Sequence, residues 1–296
     1  MNRWRSLIVL CTLISIAVPE ISANDRLPVF VSVLPQKYFV QQIGKDHVNV
    51  QVMVQPGASP ATYEPKPRQM ATLAEARLYF SLGVAFESVW LEKIMAANPA
   101  MMLVPTDAGI RKIPMATHHH HGEEASLDGK DDHGKTADHG ILDPHIWLSP
   151  PLVKQQAEKI LEALKAADPP HSADYEVNYQ NFVAAIERLD GALKRMFAGK
   201  KGLRFMVFHP AWGYFAHAYG LEQVPIEIEG KNPKPAQLEA LIAHAREQQI
   251  RVVFVQPQFS SKRAELVARE IGGQVALADP LALDWLANLQ EVAGKF

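Results

Sequence analysis

The sequence predicts an α/β fold built from two parallel-sheet domains that are joined by one long, rigid helix. The chain has 296 residues, of which 48% are hydrophobic, and this is enough material for two domains of about 100–200 residues each. Strand-like and helix-like segments alternate in both halves, a pattern that is typical of parallel strands with crossover helices. Between the halves, apolar residues recur every three or four positions over about 24 residues, which indicates a single amphipathic helix.

The N-terminus has the pattern of a secretory signal. Two arginines precede an apolar run at residues 7–18, and the small residues Ser22 and Ala23 follow it. The run is too short to span a bilayer, so we expect residues 1–23 to be a signal peptide that is cleaved near Ala23 on export to the periplasm. The single cysteine, Cys11, lies inside this segment, so any metal site in the exported chain must use histidine and carboxylate ligands.

The first domain is expected to span residues 24–172. Its strands are recognised as short β-branched or alternating apolar runs, and its helices as segments with apolar residues three or four positions apart. We expect strands at 29–34, 48–54, 78–82 and 101–104, and helices at 36–43, near 67–76 and at 86–97. A further helix follows Ser149, whose side chain can accept a hydrogen bond from a free N–H group of the first turn, and this helix ends near Ala167.

The linking helix is expected at residues 173–200 and the second domain at residues 201–296. The helix has one apolar stripe, formed by Tyr175, Tyr179, Phe182, Ile186, Leu189, Leu193 and Met196. In the second domain we expect strands at 203–208, 223–228, 251–255 and 275–278, and helices at 212–219, 234–248, 261–271 and 280–292. A stiff connector of this kind predicts limited rocking between the domains rather than wide closure.

One segment, residues 118–139, departs from this pattern because it is rich in histidine and acidic residues. Its histidines are His118, His119, His120, His121, His133 and His139. With almost no large apolar side chain, the segment is expected to form a surface loop. Imidazoles among carboxylates attract Zn²⁺, Cu²⁺ and Ni²⁺. This segment is not a purification tag, because a tag would lie at a terminus and would not be mixed with acidic residues. We therefore expect its histidines to make weaker, secondary metal contacts.

Three other residues are candidate ligands of a fixed metal site. His209 and Asp279 each come directly after a predicted parallel strand, and the edge where such strands end is where ligands bind in open α/β sheets. His145 precedes the first long helix. Asp279 is also interpretable as a helix cap, since aspartate after a strand often caps the next helix. Together, the three residues predict a site in a cleft between the domains.

Composition and motifs exclude several classes of function. The chain has 30 basic and 32 acidic residues, for a net charge of −2, and so lacks the electrostatic signature of a nucleic-acid-binding protein. It contains no His-Glu-x-x-His or Gly-x-Ser-x-Gly motif, so we do not expect an enzyme. Three protein ligands and a water molecule are also the pattern of a catalytic zinc, and catalysis therefore stays an alternative.

Five motifs occur in order along the mature chain. They are PGASPATYEP at 56–65, DPHIWL at 143–148, FHPAWGY at 208–214, EGKNP at 229–233, and PQFS at 257–260 ahead of DPL at 279–281. On these motifs the chain resembles the periplasmic solute-binding proteins of bacterial ABC transporters for zinc and manganese, most closely the zinc-uptake members. The resemblance covers essentially the whole mature chain and implies two α/β domains, a long linking helix and one metal ion in the cleft.

The resemblance also implies roles for the three candidate ligands. His145 and His209 would be imidazole ligands, and Asp279 would be a carboxylate ligand or lie close to one. Manganese-type members tend to have glutamate at the position of His209, and a nitrogen-rich site favours zinc over manganese. Zinc is therefore the expected ion, with a manganese or iron receptor of the same family as the alternative.

The sequence departs from the family at one expected ligand. The first motif usually has histidine where this chain has Ala61, and a methyl group cannot coordinate a metal. We expect the fourth position of a tetrahedral site to be filled by water, by Glu64, or by a loop imidazole such as His139. Glu64 is also interpretable as a residue outside the ligand shell, and a weakened site is a further alternative.

The function that the resemblance implies is zinc import. A monomeric periplasmic receptor would bind Zn²⁺ as transported cargo and deliver it to an inner-membrane ABC permease powered by a cytoplasmic ATPase. A periplasmic zinc buffer or metallochaperone that never meets a transporter is the alternative.

Overall fold

The computed structural model of the protein describes residues 26–116, 141–228 and 231–296. The signal peptide expected at 1–23 and the histidine-rich loop expected at 118–139, with its six histidines, lie outside these ranges. Within them, no helix has both the length and the apolar character needed to cross a membrane.

The first half of the chain forms a four-stranded parallel sheet, in the order β2-β1-β3-β4. Its strands are β1 (Leu27–Val31), β2 (Val48–Val52), β3 (Leu78–Ser81) and β4 (Met102–Pro105), and its helices are α1 (Leu34–Gly44), α2 (Pro67–Leu73) and α3 (Ala85–Ala97). All four residues of β3 are buried, as expected for an inner strand of a parallel sheet that is covered on both faces.

Two long helices follow, α4 (Pro150–Ala167) and α5 (Ser172–Met196). The helix predicted from the apolar stripe is confirmed as α5, which has 25 residues and buries five of the seven stripe residues, while Tyr179 is half-buried and Met196 is exposed. Helix α4 begins where predicted, but the side chain of Ser149 makes no capping hydrogen bond. The backbone carbonyl of Ser149 instead accepts hydrogen bonds from the N–H groups of Leu152 at 2.9 Å and Val153 at 3.0 Å.

The second half forms another four-stranded parallel sheet, in the order β6-β5-β7-β8. Its strands are β5 (Arg204–Val207), β6 (Glu222–Pro225), β7 (Val252–Val255) and β8 (Gln274–Leu277), and its helices are α6 (Gly213–Tyr219), α7 (Pro235–Glu247), α8 (Lys262–Glu270) and α9 (Trp285–Ala293). The two parallel sheets and the long helix confirm the predicted fold class.

Several element boundaries differ from the sequence prediction by a few residues, and two of these differences follow from specific hydrogen bonds. The last helix begins at Trp285 rather than at Pro280, because Asp284 caps it by accepting a hydrogen bond from the N–H of Ala287 at 3.2 Å. Strand β6 ends at Pro225, three residues early, because the chain then bends and the N–H of Glu227 turns to the carbonyl of Phe208 at 3.1 Å.

The two halves share one continuous apolar core. Trp285 donates its indole N–H to the carbonyl of Trp147 at 2.6 Å, and Trp147 donates to the carbonyl of Pro280 at 2.7 Å. Trp285 also makes an edge contact with Phe39, at 5.2 Å between ring centroids. Because this packing is continuous across the two halves, it does not mark where one domain ends and the next begins. The domain boundaries near residues 172 and 201, and the limited rocking between the domains, therefore stay predictions.

Candidate metal site

His145 lies just before α4 and is held by Asp143. One carboxylate oxygen of Asp143, Oδ1, accepts hydrogen bonds from the backbone N–H of His145 at 2.8 Å and from its ring nitrogen Nδ1 at 2.7 Å. Because a carboxylate accepts and Nδ1 donates, the ring keeps its lone pair on Nε2, the nitrogen free to bind a metal. Asp143 therefore fixes both the orientation and the tautomer of this imidazole.

His209 follows β5 and is held on both its backbone and its ring. The side chain of Gln256 accepts from the His209 N–H and donates to its carbonyl, both at 2.9 Å. The ring nitrogen Nδ1 lies 2.7 Å from Oε1 of Glu227, and the ring stacks on Phe259 at 5.6 Å between centroids. As at His145, this leaves Nε2 as the nitrogen that can bind a metal.

The fold brings these two imidazoles together, as the sequence predicted. Their ring centroids lie 5.3 Å apart with an interplanar angle of 69°, and both rings line one cavity of about 380 Å³, called the histidine cavity below. His145 is only 7% exposed, and burial lowers its pKa below 6.5, with Asp143 acting in the opposite direction. A lowered pKa favours the neutral imidazole, which is the form that binds metal.

The rest of the histidine cavity is mostly apolar and comes from both halves of the chain. Its wall contains Ser59, Pro60, Ala61, Gly83, Val84, Ala85, Met115, Ala116, Ile141, Leu142, Pro144, Pro210, Glu227, Gln256, Gln258, Phe259, Pro280 and Leu281. Ala61, at the position where the resemblance implies a histidine ligand, thus lies in the cavity wall, and its methyl side chain cannot bind a metal. Glu64 is exposed and is not among the lining residues.

Asp279 lies beside the histidine cavity rather than in its wall. It lines a smaller cavity of about 60 Å³, called the aspartate cavity below. Its Oδ1 accepts hydrogen bonds from Nε2 of Gln258 at 3.0 Å and from the N–H of Leu281 at 2.9 Å. Among the described residues, no three histidine, aspartate or glutamate side chains converge as a ready metal site. The structure therefore brings two of the predicted ligands together and places the third next to them.

Sequence reasoning missed four side chains that shape this site: Asp143, Glu227, Gln256 and Gln258. A signal existed for two of them. Asp143 lies two residues before a candidate ligand in a motif already recognised. Glu227 lies just beyond β6, at the same edge of the sheet as His209, so the rule that identified the histidine also applies to the glutamate. The two glutamines carry no such signal, since their roles depend on contacts between strand ends.

Comparisons with known proteins show which family this chain is similar to. The family model described as "ZnuA: Zinc-uptake complex component A periplasmic" matches residues 29–293. The high-affinity zinc uptake system protein ZnuA of Bacillus subtilis is 29% identical over 265 residues, which is 88% of this chain and 80% of that protein. The zinc-binding lipoprotein AdcA of Streptococcus pneumoniae is 26% identical over 92% of this chain, which spans only 54% of that relative.

Two solved structures are similar over almost their full length. A crystal structure of ZnuA is 42% identical, with a TM-score of 0.81, and the match covers 92% of this chain and 98% of that one. A zinc-bound ZnuA with residues 138–173 deleted, in its own numbering, is also 42% identical, with a TM-score of 0.80 and coverage of 92% and 96%. With a family model matching nearly the whole chain, this protein belongs to the ZnuA family of zinc-uptake components.

Proposed function

We propose that this protein captures Zn²⁺ in the periplasm and delivers it to an inner-membrane ABC permease driven by a cytoplasmic ATPase. The observation that carries the proposal is the pair of imidazoles, His145 and His209, each with Nδ1 on a carboxylate and both lining one cavity. Imidazole held in this way is a typical zinc ligand. Relatives named as zinc-uptake and zinc-binding proteins support the same conclusion.

In the proposed site, Nε2 of His145 and Nε2 of His209 bind the ion, with Asp279 as the third protein ligand. Water takes the fourth tetrahedral position. Glu64 is left out because its side chain is exposed away from the cavity. Two nitrogen ligands favour zinc over manganese, and this separates the proposed receptor from a manganese or iron receptor of the same family.

The histidine-rich loop is proposed to hold additional zinc ions more weakly than the cavity does. Its imidazoles are interspersed with carboxylates, which suit Zn²⁺ in several interchangeable arrangements. These ions would raise the local zinc concentration without setting the affinity of the main site. Removal of residues 118–139 should then abolish the weak equivalents and leave the tight one.

We also propose that the protein is a monomeric receptor and not an enzyme. The two carboxylates nearest the imidazoles, Asp143 and Glu227, each accept a hydrogen bond from a histidine ring. They are therefore engaged in orienting ligands rather than placed as a general base toward a substrate. A receptor needs only to hold and release its ion, and this is the task to which the described side chains are suited.

Zinc uptake by cells tests delivery. Cells of the native host that lack the chain would be complemented with the wild type, with a His145→Ala/His209→Ala variant, or with His244→Ala as a control at an exposed histidine on α7. Under zinc limitation, the wild type and the control should restore uptake of labelled zinc and the double variant should not. Normal uptake without the chain, despite tight binding by the pure protein, would favour the zinc buffer.

A further inference from the structure

Gln258 stands between the histidine cavity and the aspartate cavity. Its side chain lines both, whereas Asp279 is found only in the wall of the smaller one. The amide Nε2 of Gln258 donates a hydrogen bond to Oδ1 of Asp279 at 3.0 Å. The same oxygen accepts the N–H of Leu281 at 2.9 Å. Two donors therefore hold Oδ1 of Asp279 at the aspartate cavity.

Gln258 is also less firmly held than its neighbour Gln256. Both polar atoms of the Gln256 side chain bind the backbone of His209. Within the described part of the chain, Oε1 of Gln258 is buried and has no hydrogen-bond partner. A buried, unpaired acceptor is unfavourable, and among the described residues the hydrogen bond to Asp279 is the polar contact that holds this amide. The loop after β7 thus fixes His209 through one glutamine and restrains Asp279 through a more easily displaced one.

We infer that Gln258 is a positioning residue that withholds Asp279 from the metal ion. The inference rests on the proposed zinc capture by His145 and His209. Bringing Oδ1 of Asp279 to an ion in the histidine cavity breaks its hydrogen bond from Gln258, so the glutamine amide competes with zinc for this oxygen. Competition of this kind lowers zinc affinity and speeds release, which suits a receptor that has to give up its cargo.

A double-mutant cycle on the full exported chain tests the inference. Gln258→Met keeps the length of the side chain and removes the amide, and it would be compared in the wild-type and Asp279→Asn backgrounds. The zinc Kd is measured by competition with a chromophoric chelator, and zinc release by stopped flow. We expect Gln258→Met to lower the Kd roughly ten-fold, the scale of one hydrogen bond to a charged group, and to slow release. In the Asp279→Asn background it should change neither quantity.

Two further variants keep the outcome interpretable. Gln258→Ala should act in the same direction as Gln258→Met, and Gln290→Met makes the same change at an exposed glutamine on α9. An unchanged or higher Kd, or an equal shift in both Asp279 backgrounds, would overturn the inference while leaving zinc capture intact. A wild-type chain that binds no zinc would instead overturn the proposed function as well.

Discussion

The imidazole rings of His145 and His209 meet edge to face at 5.3 Å between centroids, although one precedes α4 and the other follows β5. Each ring gives Nδ1 to a carboxylate, at 2.7 Å in both cases. The arrangement orients two ring nitrogens before any ion arrives, so little ordering would remain if both bind zinc as proposed. The cavity between the halves of the chain is thereby suited to a nitrogen-preferring cation.

The carboxylates behind the imidazoles are expected to matter nearly as much as the imidazoles. Asp143→Asn and Glu227→Gln keep the size of each side chain but no longer fix the ring tautomer with a charged acceptor. Each should weaken zinc binding by about 10–100-fold, the usual effect of removing such a partner. Competitive titration measures the zinc affinity of each variant. Glu239→Gln, at an exposed position, is the matched control. Unaltered affinity would mean that these carboxylates serve only the fold.

Ala61 is expected to mark a missing ligand position. It lines the histidine cavity, so Ala61→His would add a third imidazole at the wall. Zinc affinity should rise by roughly ten-fold or more, since even outer partners of metal ligands change affinity by about 10–100-fold. Thr62→His, at an exposed neighbour outside the lining, should have little effect. If both variants bind zinc like the wild type, position 61 is not a ligand position.

The contact between Trp285 and Trp147 is expected to stabilise the junction of the two halves. Trp285→Phe removes the indole N–H and leaves the buried carbonyl of Trp147 without its donor. The free energy of unfolding should fall by about 1–3 kcal/mol from this unpaired group alone, as measured by urea denaturation. Trp90→Phe, on α3 and only partly buried, should cost less. Equal losses for the two variants would show that ring packing, not the hydrogen bond, dominates.

Glu87 is a buried carboxylate next to the wall of the histidine cavity. It is 3% exposed and accepts hydrogen bonds from the hydroxyl of Ser32 and from the N–H groups of Leu82 and Gly83. Burial raises its pKa to about 7, with these hydrogen bonds acting in the opposite direction. Gly83 belongs to the cavity wall, so this carboxylate helps to hold that wall in place.

The raised pKa of Glu87 predicts a specific pH dependence of stability. Between the ordinary value of 4.5 and about 7, the folded protein binds a proton that the unfolded chain has lost, so stability falls as pH rises through this window. Glu87→Gln should remove that part of the slope in thermal melts from pH 5 to pH 8, whereas the exposed Glu92→Gln on the same helix should retain it. Parallel slopes for wild type and Glu87→Gln would contradict the prediction.

Much of the fold follows from local patterns in the sequence. The buried run in β3 and the apolar stripe of α5 each identify their element without reference to the rest of the chain. The two histidines could be located for a related reason, because a residue directly after a parallel strand, or just before a helix in a recognised motif, has its place set by the backbone.

The remainder depends on side-chain contacts between distant segments, which a single sequence does not display. The side-chain amide of Gln258 determines where the carboxylate of Asp279 points, and nothing near Asp279 in the sequence indicates this. The start of α9 depends on Asp284 acting as the cap, although Asp279 and Pro280 offer an equally good local signal for a helix start. The sequence therefore identifies Asp279 as a candidate ligand but does not give the orientation of its side chain.

The most direct test is a competitive zinc titration of the exported chain beside the His145→Ala/His209→Ala variant, with native mass spectrometry to count bound ions. Loss of both imidazole ligands should remove one tight equivalent, weakening it by more than the roughly 100-fold that an outer partner can cost. Weaker ions on the histidine-rich loop should remain. If the variant binds zinc as tightly and in the same number as the wild type, the cavity is not the capture site.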